Sequence, residues 1–189
     1  LDPSPDTQDV AGGRMTLGAL RRNLKLIAGD VAIINDCFLA ARTVRHRLEG
    51  VGTITKELAT QIGLVGMAAR ASGIARDLRA SGDGIYGERP IETCTEPSGD
   101  CWARARLRIR EVDRSLAWIS EVTSAHPRWS RVRGALGPLA PRHIAIATIE
   151  GWRGEVVHAL ETDAEGALVH YKVQDPSFRS WLGVALAVR

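Results

Sequence analysis

Cysteine is scarce in this 189-residue chain, which contains only Cys37, Cys94 and Cys101. Three irregularly spaced cysteines are too few for a disulfide framework, so we expect a reducing, cytosolic setting. No Cys-x-x-Cys pair occurs, and the five histidines are scattered along the chain. The sequence therefore predicts no metal ligands and no bound cofactor within these residues.

Long apolar runs are also missing, since none approaches the roughly 20 residues that a membrane-spanning helix needs. The first residues lack the basic region and apolar core of a signal peptide. The chain starts at Leu1 rather than at a methionine, so we expect it to be part of a longer protein. We predict no transmembrane segment of its own.

Lysine and aromatic residues are rare as well, and arginine carries nearly all of the positive charge. The net charge of +3 is small, and the arginines alternate with acidic residues. No basic stripe with stacking aromatics is present, which argues against nucleic-acid binding. An apolar content of 44% and a charged content of 25% are ordinary for a globular domain.

Apolar residues at steps of three and four predict a first amphipathic helix over 16–48, with a bend or break at Gly29-Asp30. Thr53 or Thr55 is placed to cap a short helix over 56–62. Short turns and a loop over 80–99 follow, because this part of the chain is rich in glycine and proline.

A second long helix is predicted from Ser98 or Asp100 to the residue before His126, followed by a loop over 128–141. The apolar period becomes two from His143, which predicts three antiparallel strands. Asp175-Pro-Ser177 is then predicted to cap a terminal helix over 178–188.

These elements predict an α+β fold that is mostly helical. It has two long antiparallel helices with short helices and loops, then a small three-stranded antiparallel sheet and a terminal helix. We divide it into a linker over 1–14, a helical region over 15–141, and the sheet with its helix over 142–189, packed on the same core.

Two groups of charged residues are candidate sites. Arg70 and the Arg76-Asp77-x-Arg79 cluster lie beside turn glycines, and an aspartate between two arginines is favoured in its charged form. Such a cluster could organise a buried polar network, form part of a proton path, or pin two loops as a structural ion pair. In Glu150-Gly-Trp-Arg-Gly-Glu155, Arg153 stands between two carboxylates at a hairpin turn; Arg153 and Glu155 are therefore candidates for either role.

Four segments together resemble one family: RLEGVGTIT (47–55), GLVGMAARASGIARDLR (63–79), SGDCWARARLRIREVDRSL (98–116) and EGWRGEVVHALETDAEGALVHYKVQDPSFRSW (150–181). The family comprises the large subunits of membrane-associated nickel–iron hydrogenases of the formate hydrogenlyase type and the related 49 kDa subunit of respiratory complex I (NADH dehydrogenase). The order and spacing match its central-to-C-terminal part. The ending DPSFRSWLGVALAVR looks closer to the hydrogenase branch.

The resemblance implies a parent oxidoreductase that passes electrons from iron–sulfur partners to protons or quinone. The parent would carry the nickel–iron centre or contact quinone, whereas this segment alone would be inactive and without a cofactor. Implied partners are an iron–sulfur small subunit and other subunits of a membrane-bound complex. The protein would then sit peripherally at the cytoplasmic face of the membrane. In the family, the element around Arg153 and Glu155 faces the buried centre of the subunit.

A second interpretation is a metal-free scaffold or interaction module. In that case the pair of long helices would dock partner subunits without a redox role.

Overall fold

The computed structural model describes residues 7–10, 13–80, 84–125 and 137–188. The chain divides into two compact units. The helical unit comprises Leu1–Val44 with Glu111–Ala135, and the sheet unit comprises Arg45–Arg110 with Leu136–Arg189. In the parts of the chain that the structure describes, no helix is both long enough and apolar enough to cross a membrane.

A hairpin opens the helical unit. Strands β1 (Thr7–Val10) and β2 (Gly13–Thr16) pair antiparallel, with Thr7 opposite Thr16. The Thr16 side chain then accepts a hydrogen bond from the Ala19 amide and caps helix α1 (Leu17–Ala40). The sequence pattern did not predict this hairpin, because four-residue strands leave almost no periodic signal. The linker role of residues 1–14 stays a prediction.

The predicted break at Gly29-Asp30 is wrong, because α1 continues through both residues. A single glycine costs a helix only about 1 kcal/mol, which the rest of a long helix offsets. The chain leaves helical geometry at Ala41 instead, where the backbone is extended, and α2 (Arg42–Leu48) follows.

The second long helix is α6 (Cys101–Ala125), whose later residues belong to the helical unit. Arg21 of α1 donates a hydrogen bond to the Thr123 carbonyl. Further along α1, Leu24 and Ala28 line a cavity together with Leu116 of α6. Residues nearer the C-terminus of α1 therefore contact residues nearer the N-terminus of α6. The predicted antiparallel pairing of the two helices is confirmed.

Short helices make up the first half of the sheet unit: α3 (Lys56–Gln61), α4 (Gly66–Arg70), a 3-10 turn (Leu78–Ala80) and α5 (Ile85–Glu88). Thr55, one of the two predicted caps, accepts a hydrogen bond from the Leu58 amide. Of the predicted loop over 80–99, Ala80 ends the 3-10 turn and residues 81–83 lie outside the described part of the chain. The described residues 84–99 are irregular except for the single turn of α5.

Asp100 is the residue that opens α6. Its carboxylate accepts hydrogen bonds from the Ala103 amide at 2.7 Å, the Gly50 amide at 2.8 Å and the Ser98 hydroxyl at 3.0 Å. Burial alone would raise the pKa of Asp100, but these hydrogen bonds and the charge of Arg104 outweigh it and hold the pKa below its ordinary value. One side chain thus caps a helix and fixes the loop after α2.

Strands β3 (Ile144–Gly151), β4 (Gly154–Thr162) and β5 (Leu168–Gln174) form an antiparallel sheet in that order, and α7 (Ser177–Ala187) follows. Glu150 stands opposite Glu155 in the register. The predicted α+β fold is confirmed. Of the predicted loop over 128–141, residues 128–136 lie outside the described part of the chain.

Apolar packing in the sheet unit is concentrated around the short helices. One buried cluster brings α4 against α6, and a second surrounds α3. Most of β3 and all of β5 are exposed. The first cluster consists of Met67, Ala71, Cys94, Ala103 and Leu107, and the second is built on Ile54, Ala59, Leu64 and Ala69.

Gly99 is the position where this packing leaves no room for a side chain. Its φ is +66°, and an added Cβ would lie 1.9 Å from the Ile54 carbonyl oxygen. We expect Gly99→Ala to lower the free energy of unfolding by about 2–5 kcal/mol, the sum of left-handed strain and overpacking. Urea unfolding would measure the loss.

Gly50→Ala is the matched control. Gly50 also has a positive φ, of +72°, but an added Cβ there has no neighbour within 4 Å. Gly50→Ala should lower the free energy of unfolding only by the strain of the left-handed backbone, about 1–2 kcal/mol. Equal losses in the two variants would contradict the close approach of Gly99 to Ile54.

Candidate functional site

The candidate site lies where the β3–β4 hairpin meets α4. Gly66, the first residue of α4, and Gly154, the first residue of β4, approach so closely that a Cβ on Gly66 would lie 2.3 Å from the Arg153 carbonyl oxygen. Only two facing glycines permit this approach. It brings the end of β3 to the end of α4, where Arg70 lies.

Arg70 is the central cation, and only 1% of its surface is exposed. Its Nη1 donates hydrogen bonds to Glu150 Oε1 at 2.8 Å and to the Arg76 carbonyl at 3.1 Å. The same nitrogen lies 3.7 Å from Asp77 Oδ2. A buried guanidinium requires such partners, since removing an ion from water costs several kcal/mol.

Arg79 holds the Asp77 carboxylate through a bidentate contact. Nε of Arg79 donates to Oδ1 at 2.9 Å, Nη2 donates to Oδ2 at 2.7 Å, and the Arg79 amide donates to Oδ1 at 3.0 Å. Burial would raise the pKa of Asp77, but the hydrogen bonds from Arg79 and the charge of Arg70 outweigh it and lower that pKa. Asp77 is therefore ionised at neutral pH.

Two glutamates complete the network. Glu150 and Glu155 are directly opposite in the register, so their side chains lie on the same face of the sheet. Each has its own cation, Arg70 for Glu150 and Arg76 for Glu155, and the Glu150 carboxylate also accepts from the Leu78 amide at 3.4 Å. Without these cations the two like charges would repel one another.

Of the predicted site residues, Arg70, Asp77 and Arg79 are brought together, and Glu155 joins them through Arg76. Arg153 does not join them. Its side chain is 65% exposed and lies 3.8 Å from Asp175. Arg153 does stand at the hairpin turn between Glu150 and Glu155 in sequence. The turn presses the Arg153 backbone against Gly66, and the Arg153 side chain lies outside the network.

Glu150 is a member of the network that the sequence reasoning did not select, whereas Arg76 was named there as part of the Arg76-Asp77-x-Arg79 cluster. The available signal was Glu150 itself, because two glutamates flanking a tight hairpin turn face each other and need cations. Which arginine pairs with which glutamate depends on contacts between residues that lie 80 positions apart in the chain.

At Asp77 the arrangement favours positioning over proton transfer. Three arginines face three carboxylates, and Asp77 has a lowered pKa. A group that relays protons works best with a pKa near the operating pH. The arrangement therefore suits a clamp between α4, the 3-10 turn and the hairpin.

The three cysteines do not fit the thiolate cage of a nickel–iron centre. Cys94 is buried in the apolar cluster around Leu107, Cys101 accepts a hydrogen bond from Arg104 Nη2 at 3.1 Å, and Cys37 is exposed in the helical unit. Among the described residues, no three His, Cys, Asp or Glu side chains are grouped as metal ligands. No reaction step through such a centre is therefore assigned to these residues.

The fold and the sequence of this chain belong to a known class of proteins. Residues 14–135 match the model of the family described as the respiratory-chain NADH dehydrogenase, 49 kDa subunit. This chain is a member of that family, which confirms the resemblance carried by the four sequence segments.

Individual relatives are named as subunits of redox enzymes. The chain is 30% identical to a subunit of the F(420)H(2) dehydrogenase of Methanosarcina mazei, an alignment that covers 77% of this chain and 38% of the relative. It is 31% identical to a subunit of the NADH-quinone oxidoreductase of Geobacillus thermodenitrificans, covering 76% and 40%. It is 28% identical to the alpha subunit of the membrane-bound hydrogenase of Pyrococcus furiosus, covering 95% and 50%. The chain thus spans between about two fifths and half of the length of these relatives.

A solved structure shares the fold. A chain of the membrane-bound sulfane sulfur reductase, an archaeal respiratory membrane complex, superposes with a TM-score of 0.83 at 23% identity. The match covers 96% of this chain and 51% of the other. It shows that the arrangement described above is that of an established fold.

Removing the central cation should be costly. We expect Arg70→Met to destabilise the protein by about 3–5 kcal/mol, because Glu150 would be left buried without its cation. The double variant Arg70→Met/Glu150→Met should recover much of the loss. Arg45→Met, which breaks the exposed Arg45–Glu49 pair, is the control and should change little. Urea midpoints would measure all three, and a double variant no better than the single one would contradict the pairing.

Acid should weaken the fold through Asp77 and Asp100. Both have a folded-state pKa below its ordinary value, so the unfolded chain binds protons first as the pH falls. Their stabilisation is present above the unfolded pKa of about 3.9 and is lost as the pH falls through the folded pKa. Urea unfolding between about pH 6 and pH 3 should show this decline, with a shallower slope in Asp77→Asn and Asp100→Asn. Equal slopes in wild type and variants would refute it.

Proposed function

We propose that this chain is the central-to-C-terminal part of the large subunit of a membrane-associated oxidoreductase complex. The observation that carries the proposal is the family match over residues 14–135. Relatives named as a dehydrogenase, a quinone oxidoreductase and a hydrogenase share this region. The parent would pass electrons from iron–sulfur partners to protons or quinone.

Exposed apolar side chains are consistent with partners that bind this chain. Ile144 and Ile146 on β3 are 71% and 69% exposed, and Phe178 and Trp181 on α7 are 79% and 70% exposed. Soluble monomers rarely expose large contiguous apolar patches. We infer that other polypeptide covers these residues in the assembled complex, either the remainder of the parent subunit or its partners, including an iron–sulfur small subunit.

In this proposal the segment has a positioning role and no redox centre of its own. Arg70, Asp77, Arg79 and Glu155 hold the turn region against the hairpin, and the nickel–iron centre or quinone contact belongs to the parent. The segment alone is then inactive. The complex would hold it peripherally at the cytoplasmic face of the membrane.

A metal-free scaffold is the second candidate. The observation that favours it is a run of exposed apolar residues on α1, where Leu26, Ile27, Ile33 and Ile34 are 67%, 50%, 66% and 65% exposed. A helix that is apolar beyond one face is typical of one buried in an assembly. Such a surface serves docking whether or not the parent carries a metal.

The two candidates differ in what copurifies with the protein. We would tag the chromosomal copy, solubilise membranes in mild detergent, and measure associated subunits by mass spectrometry and bound nickel and iron by elemental analysis. The redox proposal expects membrane association, iron in the complex, and hydrogen evolution or quinone reduction. A membrane complex without iron or redox activity would favour the scaffold, and recovery without any partner would contradict both.

Arg70→Met tests the positioning role in the same complex. It should lower the yield of assembled complex, whereas Arg45→Met should leave it unchanged. Normal assembly with selective loss of activity in Arg70→Met would instead support the proton-path role.

A further inference from the structure

The sheet unit contains an apolar cavity of about 470 Å³ between α7, the loop after α2 and the start of α6. Binding sites for small molecules commonly measure roughly 300–1,000 Å³. One face of α7 lines it through Ser180, Gly183, Val184 and Ala187, which recur at the spacing of adjacent helical turns.

The floor and walls of this cavity are apolar. Ile54 and Leu64, both buried, come from the segments that flank α3, and Met67 comes from α4. A Cβ on Gly183 would lie 3.0 Å from the Leu64 side chain, so α7 packs closely on one side of the cavity. An alkyl chain placed here would replace water against these side chains.

The charged residues of the lining are all cations. Arg104, Arg108 and Arg153 line the cavity, and no acidic residue does so among the described residues. Arg104 is fixed by hydrogen bonds from Nη1 to the Gly99 carbonyl at 2.7 Å and from Nη2 to the Gly52 carbonyl at 2.9 Å. Asp175, 3.8 Å from Arg153, lies outside the lining. Apolar walls with three arginines among the lining residues complement a molecule with an alkyl chain and an anionic head.

We propose that this cavity binds an amphipathic anion, with the apolar chain against Ile54, Leu64 and Val184 and the carboxylate or phosphate head at the arginines. The head could belong to a free fatty acid or to an anionic lipid, which share this chemistry. This site goes beyond the redox role, because neither the family match nor the buried network requires it.

Titration of the full chain with sodium decanoate, below the concentration at which it forms micelles, tests the site. Isothermal calorimetry should show one saturable site. Decyltrimethylammonium and 1-decanol, which have the same chain without the anionic head, should bind at least fivefold more weakly. Equal binding of all three compounds, or no saturable binding of decanoate, would overturn the proposal.

Substitutions locate the head group. Arg108→Gln and Arg153→Gln should each weaken decanoate binding about three- to fivefold, the range of a partly exposed ion pair. Arg106→Gln is the matched control, because Arg106 lies on the same helix, pairs with Glu96 and does not line the cavity. Loss of binding in Arg106→Gln equal to that in Arg108→Gln would show that general surface charge, not this site, attracts the anion.

Cysteine protection gives a second readout that needs no variant. Cys101 lines the cavity, whereas Cys37 is exposed in the helical unit. Saturating decanoate should slow alkylation of Cys101 by N-ethylmaleimide at least threefold and leave Cys37 unchanged, as measured by mass spectrometry. Unchanged alkylation of Cys101 at saturation would place the ligand elsewhere and refute the assignment. Repeating the alkylation measurement with phosphatidic acid in place of decanoate then distinguishes a lipid ligand from a free fatty acid.

Discussion

Burial of the Arg70 guanidinium is the constraint on which the sheet unit depends. A cation withdrawn from water must regain its hydration energy from charged or polar partners, and Arg70 finds Glu150 on another element, 80 residues further along the chain. That contact requires the β3–β4 hairpin to reach the end of α4. The facing glycines Gly66 and Gly154 make the approach possible. Backbone geometry and charge burial therefore support the same contact, and neither is sufficient without the other.

Local rules predicted most of the elements, because capping and periodicity act over a few residues. Thr55 and Asp100 cap α3 and α6 as their positions suggested, and Arg70, Asp77 and Arg79 meet because a single turn region contains them all. Contacts set by distant segments were beyond such rules. The outward position of Arg153 and the pairing of Glu150 with Arg70 both depend on how the hairpin docks.

The arginine–carboxylate network is a set of paired charges within the sheet unit. The three carboxylates are each paired with an arginine, and Asp77 keeps its charge at neutral pH. Relatives named for F(420)H(2), for NADH and for hydrogenase activity share this region of sequence, in keeping with the general rule that function resides in sites placed on a common scaffold.

The distance in sequence between Arg70 and Glu150 also has a consequence for synthesis on the ribosome. Arg70 emerges with Asp77 nearby, but its principal carboxylate partner is made 80 residues later. Chains are made at about 5–20 residues per second, so α4 spends several seconds without the glutamate that permits its burial. The turn region must then remain hydrated until the hairpin appears, and the last third of the chain decides when the middle can close. A messenger truncated before β3 would yield a product without Glu150, in which Asp77 is the carboxylate left to pair with Arg70.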